Sequence, residues 1–152
     1  MKKVLQSIEI NATREHVWDA IINDTKYREW TAEFHEGSYF EGGWNTGDTI
    51  RFLALDEKGE KSGMLATIHT ATYPEYISIQ HLGLVANGVD DTTSEEVKKW
   101  APAFENYTLK SNDDTTTQFV VDVDSNEEYY DYFLEVWPRA LAKLKEVCER
   151  IS

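Results

Sequence analysis

Toward its end the chain carries a long amphipathic pattern. Tyr130, Phe133, Trp137, Leu141, Leu144, Cys148 and Ile151 follow one another at spacings of three and four, which is one apolar face of a single helix. A face so broad must be covered. The hundred residues before it read as one strand after another, and a helix laid across a curved antiparallel sheet covers both apolar faces while leaving a grip-shaped interior between them. This predicts an α+β protein whose function is to be sought in that interior.

The strand signals are local. Val4 to Ile10 alternates, with Ile8 and Ile10 on one parity and Ser7 and Glu9 between them. Asn11 or Thr13 can then cap a short helix that carries Val17, Trp18, Ile21 and Ile22 inward, and a second turn is expected from Tyr27 through Trp30. Glycines 37, 42, 43 and 47 punctuate the next stretch, leaving Ser38 to Phe40 and Thr49 to Leu55 as strands. Glu57-Lys58-Gly59-Glu60 reads as a hairpin loop, Gly63 to Thr72 as the returning strand, and Tyr76 to Leu82 as the next. Val85 to Lys99 breaks the rhythm. It holds the loop formers Asn87-Gly88 and Asp90-Asp91 and a capping-box pattern at Thr93-Ser94-Glu95-Glu96, so a short helix and a lid are expected there. Phe104 to Ser111 and Thr115 to Val123 form the clearest hairpin, and a second capping box at Ser125-Asn126-Glu127-Glu128 opens the final helix. Pro138 removes a backbone hydrogen bond inside that helix, which predicts a kink near Glu135.

With 152 residues and no linker composition, a single domain over 1–152 is expected, large enough for a real core. The 28 acidic and 15 basic residues give a net charge of -13, a field that repels phosphate backbones and anionic lipid headgroups, so neither nucleic acid nor a membrane surface is an expected partner. Lys2 and Lys3 precede no apolar stretch long enough for a signal sequence, which predicts a cytoplasmic protein and makes the glycosylation patterns at Asn11 and Asn106 chance matches. Cys148, the sole cysteine, sits on the apolar helix face and reads as a small buried hydrophobe.

Several segments in this order resemble the AHSA1-like branch, named after the activator of Hsp90 ATPase, of the SRPBCC, START or Bet v 1-like proteins. They are Ile8-Glu9-Ile10-Asn11-Ala12 with Val17-Trp18, then Phe40-Glu41-Gly42-Gly43-Trp44 with Gly47-Asp48, then Tyr73-Pro74-Glu75-Tyr76-Ile77-Ser78-Ile79. Glu105-Asn106-Tyr107-Thr108-Leu109 and Trp137 with Leu141 and Leu144 complete the series. The resemblance implies a helix-grip fold: about seven antiparallel strands curled round a long C-terminal helix, two short helices between strands one and two, and a mainly hydrophobic cavity. It also implies a small apolar or aromatic ligand. It does not carry over a chaperone partner, because no residue here identifies an Hsp90-binding surface, and it leaves a homodimer open.

Reactive constellations are not found. His16, His35, His69 and His81 lie at no metal-ligand spacing, no nucleophile motif or phosphate cradle is present, and the carboxylates are surface-patterned, so no catalytic residue, metal or cofactor is assigned. What remains is the inward set. His81 shares parity with Ile77 and Ile79, Tyr107 with Leu109, and Phe119 with Val121 and Val123. His81 and Tyr107 are therefore the polar groups expected to face the interior, either satisfied structurally or orienting a ligand. Phe52, Met64, Ile68, Ile79, Phe119, Phe133 and Trp137 are expected around them, as cavity lining or simply as filled core. Trp30 and Trp44 are placed near the mouth. Three functions stay open: a binding domain gated by residues 85–100, a cyclase, lyase or hydrolase of polyketide-like substrates using His81 and Tyr107, and a module acting through its outer surface.

Overall fold

The computed structural model describes residues 1–150, so Ile151, the last residue of the apolar helix pattern, lies outside the described residues. The elements run β1 (Lys2–Ile10), α1 (Arg14–Ile22), α2 (Asp24–Thr31), β2 (Tyr39–Gly42), β3 (Thr49–Leu55), β4 (Lys61–Thr72), β5 (Tyr76–Ala86), β6 (Val89–Asp91), α3 (Glu95–Lys98), β7 (Ala103–Ser111), β8 (Thr117–Ser125) and α4 (Glu127–Glu149). One antiparallel sheet in the order β1-β8-β7-β5-β4-β3-β2, with β6 added beside β5, curves round α4. The helices α1 and α2 fill the corner between the sheet's ends and pack against α4.

Local chemistry explains the boundaries. Thr13 caps α1 by accepting from the His16 amide at 3.2 Å, and Asn23 closes α1 and caps α2 through the Lys26 amide. Both later caps sit one residue beyond the start of their capping-box patterns. Ser94 accepts from Val97 to open α3, and Asn126 accepts from the Tyr129 amide at 3.1 Å to open α4. Helix α4 then runs through Pro138 as a single element. Its buried face, led by Val136, Trp137, Leu141 and Leu144, meets β1 and the two short helices.

Two differences from the sequence pattern matter for the site. Residues 85–91 are not an open loop: β5 continues to Ala86 and turns through Asn87 (φ 55) and Gly88 (φ 74) into β6, so an eighth short strand joins the sheet. Positive φ at both central residues is the tight hairpin turn that Asn-Gly favours. Arg51 of β3 fastens this hairpin with a two-pronged bond to Asp90, at 3.0 and 2.7 Å. Second, β5 carries a bulge. Leu65 pairs with Gly83 and Ala66 with His81, so Leu82 is the extra residue and the inward parity changes beyond it. Gly83 itself lies against the Asp91 carbonyl, and a Cβ there would collide with it.

Candidate functional site

Between the sheet and the first half of α4 lies a cavity of about 530 Å³. Phe52, Met64, His81, Tyr107, Phe133 and Trp137 of the expected set line it. Ile68, Ile79 and Phe119 do not: all three are fully buried within the core. Trp30 contributes to the wall, whereas Trp44 sits behind it in the cluster of rings around Tyr27, 6.2 Å from that ring. Exposed Met1, Leu55, Tyr129 and Tyr132 form the rim. From the lid segment, Glu96 and Trp100 reach the lining, with Val97 buried beneath them.

Strand register builds the polar centre. In β5 and β7, Ile77 faces Tyr107, Ile79 faces Glu105 and His81 faces Ala103, so the inward side chains of His81, Glu105 and Tyr107 fall on one diagonal. His81 Nε2 lies 2.9 Å from Glu105 Oε1, and the Tyr107 hydroxyl donates to Glu105 Oε2. An ionised carboxylate only accepts, so Nε2 carries the proton of its bond. Glu105 is thus held by two donors, its side chain 18% exposed.

Burial, followed by the Glu105 charge, pushes the Tyr107 hydroxyl well above its ordinary value; the same two causes raise Tyr27. Both phenols are therefore neutral hydrogen-bonding groups. Trp30 lies 6.5 Å from the Tyr107 ring, and Trp137 6.3 Å, so the phenol that binds the carboxylate packs among aromatic rings. His81 Nδ1 and Trp137 Nε1 are buried and find no hydrogen-bond partner among the described residues. No three His, Cys, Asp or Glu side chains gather as metal ligands among the described residues. No described helix is long and apolar enough to cross a membrane.

Solved structures align with the chain over nearly its whole length. Protein MLL2253 from Mesorhizobium loti superposes with a TM-score of 0.74 at 13% identity, covering 99% of both chains. The Aha1 dimer from Colwellia psychrerythraea gives 0.66 at 17% identity, over 98% of this chain and 97% of that one. CalU16 from Micromonospora echinospora gives 0.65 at 14%, over 97% of this chain and 74% of that one. The chain has the helix-grip fold. No protein-family model matches it, and no curated protein sequence does. At these identities the likeness shows the fold alone.

Within this grip, Glu105 is the residue that sequence reasoning missed. Its parity is that of Tyr107 and Leu109, so alternation alone placed it inward. It was passed over because carboxylates elsewhere in the chain are patterned to the surface. Leu84, opposite Met64, also lines the cavity, and the bulge at Leu82 hid it from any count by twos.

Proposed function

We propose that this chain is an AHSA1-like small-molecule binding domain that holds a hydrophobic or aromatic ligand between its sheet and α4. One observation carries the reading: a cavity of about 530 Å³, walled by aromatic rings, with a few polar groups converging at one place. Small-molecule sites run to roughly 300–1,000 Å³ with just this mixture, apolar walls for affinity and sparse polar groups for orientation. Phe52, Met64, Phe133 and Trp137 supply walls, and His81, Glu105 and Tyr107 supply direction. The hairpin β5–β6 with α3 acts as the lid, because Glu96 and Trp100 stand at its inner edge. A cytoplasmic setting fits the acidic surface.

Native mass spectrometry of the freshly purified protein, compared with the denatured mass, tests the reading. A co-purified apolar molecule is expected, and Met64→Trp, which fills lining volume at a partly exposed position, is expected to abolish it while the protein stays folded. Retention of the molecule by a folded Met64→Trp protein refutes this site. The same spectra report whether two copies associate, a question raised by the Colwellia Aha1 dimer.

A second reading, catalysis on polyketide-like substrates, draws on the convergence of His81 and Tyr107 upon Glu105. The raised Tyr107 hydroxyl counts against it, because a phenol so held donates a hydrogen bond far more readily than a proton. Turnover of a lactone or β-keto ester that is lost in Tyr107→Phe would favour the enzyme.

A further inference from the structure

The lining has a charge sign. Four carboxylates border the cavity, Asp56, Glu96, Glu105 and Asp124, and among the described residues no lysine or arginine does. Lys3 sits 3.1 Å from Asp124, which answers that charge from outside the cavity wall. Among the described residues no lysine or arginine pairs with Glu105, which is held by His81 and Tyr107 alone. His81 and Tyr107 occupy two of its roughly four acceptor sites and leave the others open. Even a charged His81 has its Nε2 committed to Glu105, so an anionic ligand at the polar centre would meet a carboxylate; the other described lining residues able to carry positive charge are Met1, through its amino group, and His35.

The walls point the same way. Trp30, Phe52, Tyr107 and Trp137 line the same cavity as Glu105 and His81, with Phe52 5.8 Å from the His81 ring. The negative face of an aromatic ring attracts a cation and repels an anion, most strongly where water is excluded. A carboxylate in a cavity lined by such rings offsets part of what an ammonium loses on leaving water, which an apolar wall by itself cannot do.

We infer that the cavity takes an organic cation: an apolar or aromatic body ending in a protonated amine, with the ammonium set against Glu105 and the ring faces, and that it rejects carboxylic acids of the same shape. This rests on the binding function proposed above and adds the charge of the ligand to it. The rim residues Tyr129 and Tyr132 then cover the apolar end.

The test uses three probes of one skeleton, naphthylethylamine, naphthylethanol and naphthylacetate, titrated calorimetrically into the whole chain. About 0.15 M salt screens the general field of the -13 chain beyond a Debye length of about 8 Å and leaves the local contacts to decide. At about pH 8 the amine keeps its proton. The amine is expected to bind at least about tenfold more tightly than the alcohol, and the acid most weakly. In Glu105→Gln the amine and alcohol should converge to within about threefold, with the alcohol's affinity retained. Equal binding of alcohol and amine, or preference for the acid, overturns the cation inference and leaves the binding function standing. If none of the three binds, the binding function fails and the inference falls with it. The unmodified chain decides the question even if Glu105→Gln loses its fold.

Discussion

Replacing Glu105 with leucine removes the acceptor of two buried donors at once. Tyr107 is 3% exposed and His81 8%, so cavity water can replace the lost acceptor only in part. A hydrogen bond to a charged group contributes about 1.5–3 kcal/mol, and an orphaned buried donor costs about 1–3 kcal/mol. Leucine regains some apolar burial, less than the roughly 1.5–3 kcal/mol of a fully buried side chain, because position 105 is partly exposed. The balance for Glu105→Leu is a loss of about 2–4 kcal/mol, or a fall in melting temperature of roughly 4–16 °C for a chain of this size. Tyr107→Phe alone forfeits one charge-assisted bond and should cost about 1.5–3 kcal/mol. In the double variant the phenylalanine removes the very hydroxyl that leucine orphaned, so adding it should cost almost nothing. Urea denaturation of the four proteins, with unchanged slopes, then gives a coupling of about 1.5 kcal/mol or more. Additivity within about 0.5 kcal/mol would show that the Tyr107–Glu105 bond does not hold the fold, and the polar centre described here would be wrong.

Ile79→Trp and Phe119→Trp, both at fully buried positions outside the cavity, should each cost about 1–3 kcal/mol or more by overpacking; a stable Ile79→Trp protein that merely loses its ligand would place Ile79 in the site instead. The hydroxyls of Tyr27 and Tyr107 are raised from the ordinary 10.0 by burial and then by Glu105, so the folded protein keeps both protons after the unfolded chain has lost them. Their stabilisation is therefore complete below about pH 10 and is lost as pH climbs through the folded values, so phenolate absorbance and circular dichroism should show these tyrosines ionising only as the fold is lost. A folded protein with all eight tyrosines ionised refutes that. Arg51→Ala, which breaks a pair with both side chains more than a third exposed, should change global stability by less than about 1 kcal/mol yet speed amide exchange at Val89–Asp91; uniform exchange across the sheet would mean that the pair does not fasten the lid.

The parts of the fold that were legible in the sequence are those where one period runs long enough to outvote its neighbours. Helix α4 declares itself through six described apolar residues at helical spacing, and β3 falls at Thr49–Leu55, between a Gly-Asp turn and a loop around Gly59. Strand β6 escaped because three polar-flanked residues carry no alternation; its one signal was Asn87-Gly88, which also suits an ordinary loop. The caps were shifted because a serine or threonine with a glutamate three residues on defines a window, while backbone geometry picks which polar residue in that window accepts the bond. In the site, parity placed His81 and Tyr107 on the inner face correctly, and it would have placed Glu105 there too. Parity reports the face of a strand but says nothing about depth beneath a curved sheet. Ile68, Ile79 and Phe119 share the inner face, yet they sit where the helices close down upon it, and Phe52 and Met64 sit where the grip stands open.

That division of one inner face into a closed end and an open end is what reconciles stability with binding. The cavity of about 530 Å³ opens past the exposed rim residues Met1, Leu55, Tyr129 and Tyr132. The interior between β3, β5, β7 and α4 is therefore accessible to water and to a ligand. The polar centre decides which part of it is wet. The open acceptor sites of Glu105 and the Tyr107 hydroxyl oxygen can bind water at one end, and the ring-lined remainder offers little. A ligand with a polar head and an apolar body replaces the well-bound water in kind and the poorly bound water at a gain. A wholly apolar ligand would strip Glu105 of its solvent and offer nothing in return, and a small polar one would leave the walls wet. The same carboxylate that makes the interior costly to bury thus sets the shape of the molecule that can fill it: polar at the sheet and apolar toward the rim.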